Sequence, residues 1–329
     1  MKSLHRGSGL VSIVFLLVLC SGLWAGSQSK GLFGEWDMKL DFDNSQMKSI
    51  LTFARDKEGE LTAQWISIFG IGEVKDIKRE GKNITFTLTN DMGDQVYIGN
   101  YIGTLEKGVL SGLLSSDSGE ITTEGKRLKR MHPILGSWNM TIKMGDREFK
   151  TVLVVTPDKQ KKLQAEWQSQ WGEHEITDVQ FKDGKLTFSR ISKFGDREWE
   201  TTYEGSLKGH TLTGTFSSQQ GQIPANGKRV GAALVGKWDL TMSSEQGTRK
   251  QRLTVLPNLS ARFGALSIKK IGLEEGQVSF EMTLQFGDNE YEISFGGKLD
   301  AGKLTGKLTT SQGISEVTGT KIKPIRQKK

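Results

Sequence analysis

The sequence predicts an all-β protein: three tandem up-and-down antiparallel β-barrels of about eight short strands each, behind an N-terminal signal peptide. Three observations carry this. A Gly-x-Trp occurs three times, as Gly34-Glu35-Trp36, Gly136-Ser137-Trp138 and Gly236-Lys237-Trp238, roughly a hundred residues apart. Between these marks, apolar and polar residues alternate with a period of two. Glycine is abundant at 40 and proline scarce at 5, which suits short strands joined by tight turns.

The chain opens on Lys2 and Arg6, a basic segment, followed by an apolar run from Leu10 to Cys20. That run has the length of a signal-peptide core and is too short to span a bilayer as a stable helix. Ala25-Gly26-Ser27 supplies small residues for cleavage, so the signal peptide is placed at 1–27. Cys20 is the single cysteine. Leu17-Val18-Leu19-Cys20-Ser21 resembles a bacterial lipobox, except that Leu19 is larger than the small residue expected before the cysteine. Ordinary cleavage leaves no cysteine, hence no disulfide framework, no cysteine zinc site and no thiol nucleophile. Such a chain suits a bacterial envelope, secreted or periplasmic. Lipid anchoring, and with it membrane association, would require Cys20 to be lipidated.

The net charge is +7, about +5 once Lys2 and Arg6 are removed. Lys321, Lys323, Arg326, Lys328 and Lys329 end the chain without an acid among them. A solvated basic tail at 325–329 explains this charge, and no nucleic-acid partner is expected.

The repeats run over 28–130, 131–231 and 232–324, with linkers short enough that the units abut. Their landmarks align. Leu61-x-Ala63-x-Trp65 matches Leu163-x-Ala165-x-Trp167 and Leu259-x-Ala261-x-Phe263. Ile84-Thr85-Phe86 matches Leu186-Thr187-Phe188 and Val278-Ser279-Phe280. Tyr101-x-Gly103 matches Tyr203-x-Gly205 and Phe295-x-Gly297. In repeat two, Trp138, Met140, Ile142 and Met144 share one parity, as do Phe149, Thr151, Leu153 and Val155, and then Leu163, Ala165, Trp167, Ser169 and Trp171. Each series is a strand with one buried face. Asp183-Gly184, Gly195-Asp196 and Gln220-Gly221 are turn signals between strands. Eight strands joined this way close into a small barrel without exposed edges.

A Gly-x-Trp on the first strand and a basic residue on the last resemble the signature of the calycin barrels, the lipocalins and avidins. The resemblance implies that Trp36 pairs with Arg127, Trp138 with Arg229 and Trp238 with Lys321, each basic group lying across an indole that closes one barrel end. The units are also similar to short lipocalin-like domains of secreted bacterial proteins, often attached to hydrolases. Two departures stand out: a unit of about a hundred residues is short for a ligand-carrying lipocalin, and Lys321 replaces arginine.

Trp65 and Phe69, Trp167 and Trp171, and Phe263 are expected to point inward from the third strand of each unit, where aromatic walls either fill the barrel or line a cup for a small apolar ligand. Trp199, aligned with Tyr97 and Tyr291, belongs to the core or the mouth. The acids of Gly93-Asp94, Gly195-Asp196 and Gly287-Asp288 read as hairpin turns. Asp76 and Asp178 align with each other but with Lys270 in repeat three, against a shared acid–base role. His132, His174 and His210 stand at unrelated places, read as linker, loop and turn. No catalytic constellation, metal-ligand spacing or cofactor motif is visible. The expected function is therefore a non-enzymatic binding or scaffold protein of the bacterial envelope, with an envelope protein or glycan as partner. Carriage of small hydrophobic ligands inside the barrels is the alternative. An accessory role in glycan hydrolysis, through His174 or Asp178, is the third.

Overall fold

A computed structural model of the protein describes residues 31–42, 45–91 and 96–323. The signal segment, Cys20, Gly93-Asp94 and the basic tail lie outside the described residues. All secondary structure described is strand, and the three units follow one another in chain order.

Repeat one is a closed barrel of β1 (Gly34–Phe42), β2 (Ser45–Arg55), β3 (Leu61–Ser67), β4 (Gly70–Glu80), β5 (Asn83–Asp91), β6 (Val96–Glu106), β7 (Val109–Ser116) and β8 (Gly119–Arg127). Every neighbour is antiparallel and adjacent in sequence, and β8 returns to β1 with Trp36 opposite Arg127. The period-two pattern explains the layering. On β5, Ile84, Phe86 and Leu88 turn inward while Thr85, Thr87 and Thr89 stay near solvent.

Repeat two repeats the order in β9 (Gly136–Met144), β10 (Arg147–Pro157), β11 (Leu163–Gln168), β12 (Glu173–Lys182), β13 (Lys185–Phe194), β14 (Arg197–Lys208), β15 (Thr211–Ser218) and β16 (Gly221–Arg229). Here the ladder is open between β11 and β12. Repeat three has nine strands rather than eight: β17 (Gly236–Ser244), β18 (Gly247–Val255), β19 (Ala261–Phe263), β20 (Leu266–Ile268), β21 (Gly272–Glu274), β22 (Gln277–Phe286), β23 (Asn289–Asp300), β24 (Lys303–Thr310) and β25 (Gly313–Lys321). The extra strand arises because its trimmed third and fourth strands break into three short pieces. This sheet is open between β20 and β21.

The turns follow their residues. Gly195-Asp196 forms a two-residue loop between paired Phe194 and Arg197, with Gly195 at φ +60°, the glycine-first geometry of a type II′ turn. Asp76 and Asp178 occupy equivalent bulges in β4 and β12, at φ +52° and +55°. Their shared place is thus a backbone feature: aspartate tolerates the left-handed region that a bulge needs.

Each repeat encloses its own core. Phe86 stacks on Tyr101 at 4.4 Å between centroids, Phe188 on Tyr203 at 4.9 Å and Phe280 on Phe295 at 4.8 Å. A fourth, small apolar cluster joins repeats one and three, where Ile50 and Ile66 meet Ala265.

Candidate functional site

One end of each unit is closed by its tryptophan. Trp36, Trp138 and Trp238 are fully buried, and each indole Nε1–H donates to the carbonyl four residues earlier: Leu32 at 2.8 Å, Ile134 at 3.0 Å and Leu234 at 2.7 Å. The basic residue of the last strand lies over the ring, with Arg127 at 4.7 Å, Arg229 at 4.1 Å and Lys321 at 5.5 Å from it. The same basic group donates to the carbonyls of the incoming chain, Arg127 to Gly31 and Phe33, Arg229 to Pro133 and Leu135, and Lys321 to Ala233. The motif glycine now has a reason. Gly34, Gly136 and Gly236 adopt φ between +112° and +135°, and a Cβ there would run into Arg127, into the Pro257 carbonyl or into Lys321.

The plugs leave the opposite end as the mouth. In repeat two this mouth is chemically unlike the others. Along β13 the inward positions read Leu186, Phe188, Arg190 and Ser192. The positions of Arg190 correspond to Leu88 and Met282 in the other repeats, both buried and apolar. Arg190 lies on aromatic faces, 3.9 Å from the Phe216 ring and 4.9 Å from that of Trp167. It forms no ion pair among the described residues, and its Nε is buried without a hydrogen bond. Burial pushes its guanidinium down to about 10, so it stays charged at neutral pH.

His174 stands beside it. It lies on β12, not in a loop as the sequence suggests, and its ring meets Trp167 edge-on at 6.5 Å. Its Nδ1 is 3.0 Å from Ser192 Oγ, while Nε2 is buried and unpartnered. Burial first, then the Arg190 charge, hold His174 below the usual imidazole range, opposed by a backbone contact from Trp171. In repeat one the equivalent pair is Gly72 and Leu88, packed so closely that a Cβ on Gly72 would lie 2.8 Å from Leu88. There β3 and β4 hydrogen-bond across the place; in repeat two, with two large polar side chains, β11 and β12 do not.

The rim is aromatic. The parity of the third strand predicts Trp171 inward; β11 instead ends at Gln168, and Trp171 sits in the following turn, 57% exposed, with Phe149 edge-on at 6.4 Å. The reason is local: the Trp171 backbone N–H donates to Ser169 Oγ at 3.0 Å, closing a turn that Gly172 at φ +69° completes on the way into β12. Trp199 pairs with Ser192 across the ladder and is 39% exposed. Phe69 likewise falls in a turn, half-buried, after β3 ends at Ser67. Trp65, Trp167 and Phe263 are buried among core rings. Of the sequence-derived aromatics, therefore, Trp167, Trp171 and Trp199 share one barrel, and only the last two reach solvent. Arg190, Ser192 and Phe216 escape a motif search. The signal for Arg190 was a cation at an inward parity position.

Among the described residues no group of three or more His, Cys, Asp or Glu is placed to hold a metal, and no helix is long and apolar enough to cross a membrane.

A second feature lies on an outer wall. In repeat one Val96, Ile98, Ile102 and Leu113 are exposed on β6 and β7, Ile102 by 65% and opposite Leu113 in the ladder. The equivalent positions carry Glu198, Glu200, Glu204 and Thr215 in repeat two, and Glu290 and Glu292 in repeat three.

No protein-family model matches the chain, and no curated protein matches it significantly by sequence. Among solved structures it is similar to a candidate outer membrane protein from Bacteroides fragilis NCTC 9343, with 11% identity over 90% of this chain and 99% of the other, at a TM-score of 0.24. It is also similar to transferrin binding protein B from Haemophilus parasuis Hp5, a double mutant, with 11% identity over 88% and 76% at a TM-score of 0.20. The serogroup B Neisseria meningitidis form of that protein gives 11% identity over 88% and 66% at a TM-score of 0.17. Overlaps of this size carry no function across. The eight-stranded antiparallel barrel with neighbours in sequence order fits a calycin-like fold.

Proposed function

We propose that this chain is an exported, non-enzymatic binding or scaffold protein of the bacterial cell envelope, and that it meets a protein partner through the outer wall of its first barrel. The observation that carries this reading is the exposed apolar stripe of Val96, Ile98, Ile102 and Leu113. Aliphatic side chains in water on one wall, where repeat two carries Glu198, Glu200, Glu204 and Thr215 and repeat three carries Glu290, Glu292, Gly296 and Lys307, are the mark of a surface kept for contact. In repeat one the ring-stacked interior favours the outer wall over a cavity as the working surface of that barrel.

The test transplants repeat two onto repeat one. A photocrosslinker at Ile98 should give a discrete adduct with one envelope protein in the native host, and Ile102→Glu with Leu113→Thr should abolish it. Both substitutions use residues the sister barrels tolerate, so folding is preserved and loss of the adduct reports the surface. An adduct that persists at full yield in the double variant would remove the stripe from the reading.

A further inference from the structure

We propose that the mouth of the second barrel is a binding site for a small carboxylate with a flat apolar body, held by Arg190 and His174 and covered by Trp171 and Trp199. This rests on the inside of repeat two and stands apart from the outer-wall reading of repeat one.

The argument starts from unmet demand. Arg190 is partly buried, its guanidinium lies on ring faces, and no acid pairs with it among the described residues. Its Nε–H, a strong donor, is buried and bonded to nothing. His174 repeats the pattern with its buried, unpartnered Nε2. Arg190 and His174 thus lie against one tryptophan, Trp167, each with a buried nitrogen that lacks a side-chain partner. A carboxylate answers both, since it accepts from a guanidinium and, once the imidazole is protonated, from His174. The groups facing His174 are Trp167 from β11, the Trp171 backbone, and Arg190 and Ser192 from β13, with no carboxylate among them. Glu173 and Glu175 flank it on β12 at the opposite parity, exposed. The missing negative charge must come from outside.

The remaining features set the ligand's body. The core beneath is closed by Trp167, Phe188 and Phe216, with Trp167 and Phe216 5.4 Å apart, so the ligand is short. Trp171, Phe149 and Trp199 offer flat faces at the rim, which suits a ring or a planar chain. The sister barrels lack the site, because Leu88 and Gly72 close it in repeat one and Met282 replaces the cation in repeat three.

Phenylacetate is the probe and phenylacetamide its neutral counterpart, titrated calorimetrically into the full chain. Phenylacetate should bind and the amide should not. Arg190→Met should weaken binding at least tenfold, and Arg190→Lys should restore part of it. Binding should strengthen from pH 8 to pH 5.5 as His174 takes up a proton, and His174→Gln should flatten that dependence. Met is the residue repeat three already carries at this position, so the variant should fold. It should also melt at a higher temperature than the wild type, because an unpaired buried charge is gone. A structural role for Arg190 predicts the reverse, a lower melting temperature with no effect on phenylacetate. That result, or failure of the wild type to bind phenylacetate, overturns the proposal.

Discussion

At the scale of single residues, the plug shows how few atoms set a barrel end. In repeat two the ring of Trp138 is fully buried, donates to Ile134, and lies under an arginine that is itself 4% exposed. Trp138→Ala should cost about 3–5 kcal/mol, read as a fall in the melting temperature of that unit. An unchanged melt would mean the ring is not what closes the barrel. Arg229 also takes the His210 Nδ1 as an acceptor at 3.2 Å, and burial together with Arg229 and Lys321 holds His210 below its ordinary value. His174 is depressed as well, through burial and Arg190. Folded values below the unfolded one mean that the unfolded chain takes up protons first as pH falls. The stability is present above the unfolded imidazole value, about 6.5, and is lost on acidification below it. Thermal melts between pH 7.5 and pH 5 should therefore show repeat two weakening, and His174→Gln with His210→Gln should flatten the curve. The plug pairs were legible in the sequence because a Gly-x-Trp and a distant basic residue recur three times in step. Arg190 was not, since a single cation in a polar-looking strand gives no recurrence to notice.

At the scale of elements, the alternation of apolar residues placed most strands, because one buried face enforces a period of two wherever a sheet curls around a core. It failed at strand ends, where a turn residue overrides the pattern. The turn in which Ser169 Oγ accepts from the Trp171 N–H takes the chain out of β11 although Ser169 and Trp171 continue its parity. It also failed at closure, because hydrogen bonding between β3 and β4 depends on Gly72 fitting against Leu88. Two barrels with similar patterns thus differ in one seam. Amide hydrogen exchange should report this directly. The backbone of β12 facing the gap, from Glu173 to Ile176, should exchange well before the equivalent stretch of β4 in repeat one, where β3 pairs with Ile71, Gly72 and Glu73. Equal protection at the two places would mean that the seam of repeat two closes in solution. The bulges make a companion case. Asp178 at φ +55° should accept glycine with no loss of stability, whereas Asp178→Val should destabilise by about 1–2 kcal/mol, since a β-branched residue resists the left-handed region.

At the scale of the whole molecule, the first and third repeats meet although the second lies between them in sequence. Ile66 packs on Ala265, Gln251 donates to the Ser67 carbonyl at 2.9 Å, and Arg252 bridges Asp239 and Gln64 at 2.8 and 3.0 Å. Beside these, Glu35 pairs with Lys237 at 2.6 Å, and Arg262 approaches the same carboxylate. Glu35 and Lys237 are the same position of the repeat, the middle residue of Gly-x-Trp. The motif's middle residue is thus acidic in repeat one, neutral as Ser137 in repeat two and basic in repeat three. The sequence held this charge pattern, but only the fold shows that its two ends face each other. Repeat two instead meets repeat three through its plug, where Arg229 donates to Pro257 at 3.0 Å. Charge exchange tests the pairing. Glu35→Lys should set two cations together and cost about 1 kcal/mol or less, given partial exposure of both partners. Lys237→Glu should cost a similar amount, and the double exchange should recover most of the loss. Additive losses would show that the pair does not couple the barrels. Ile66→Asp goes further, because it buries a charge against Ala265 while pointing away from the core of repeat one. It should split the calorimetric melt into separate transitions for repeats one and three, with both barrels retaining their strand content by circular dichroism. A single broadened transition would mean that the two barrels unfold together for reasons other than this face.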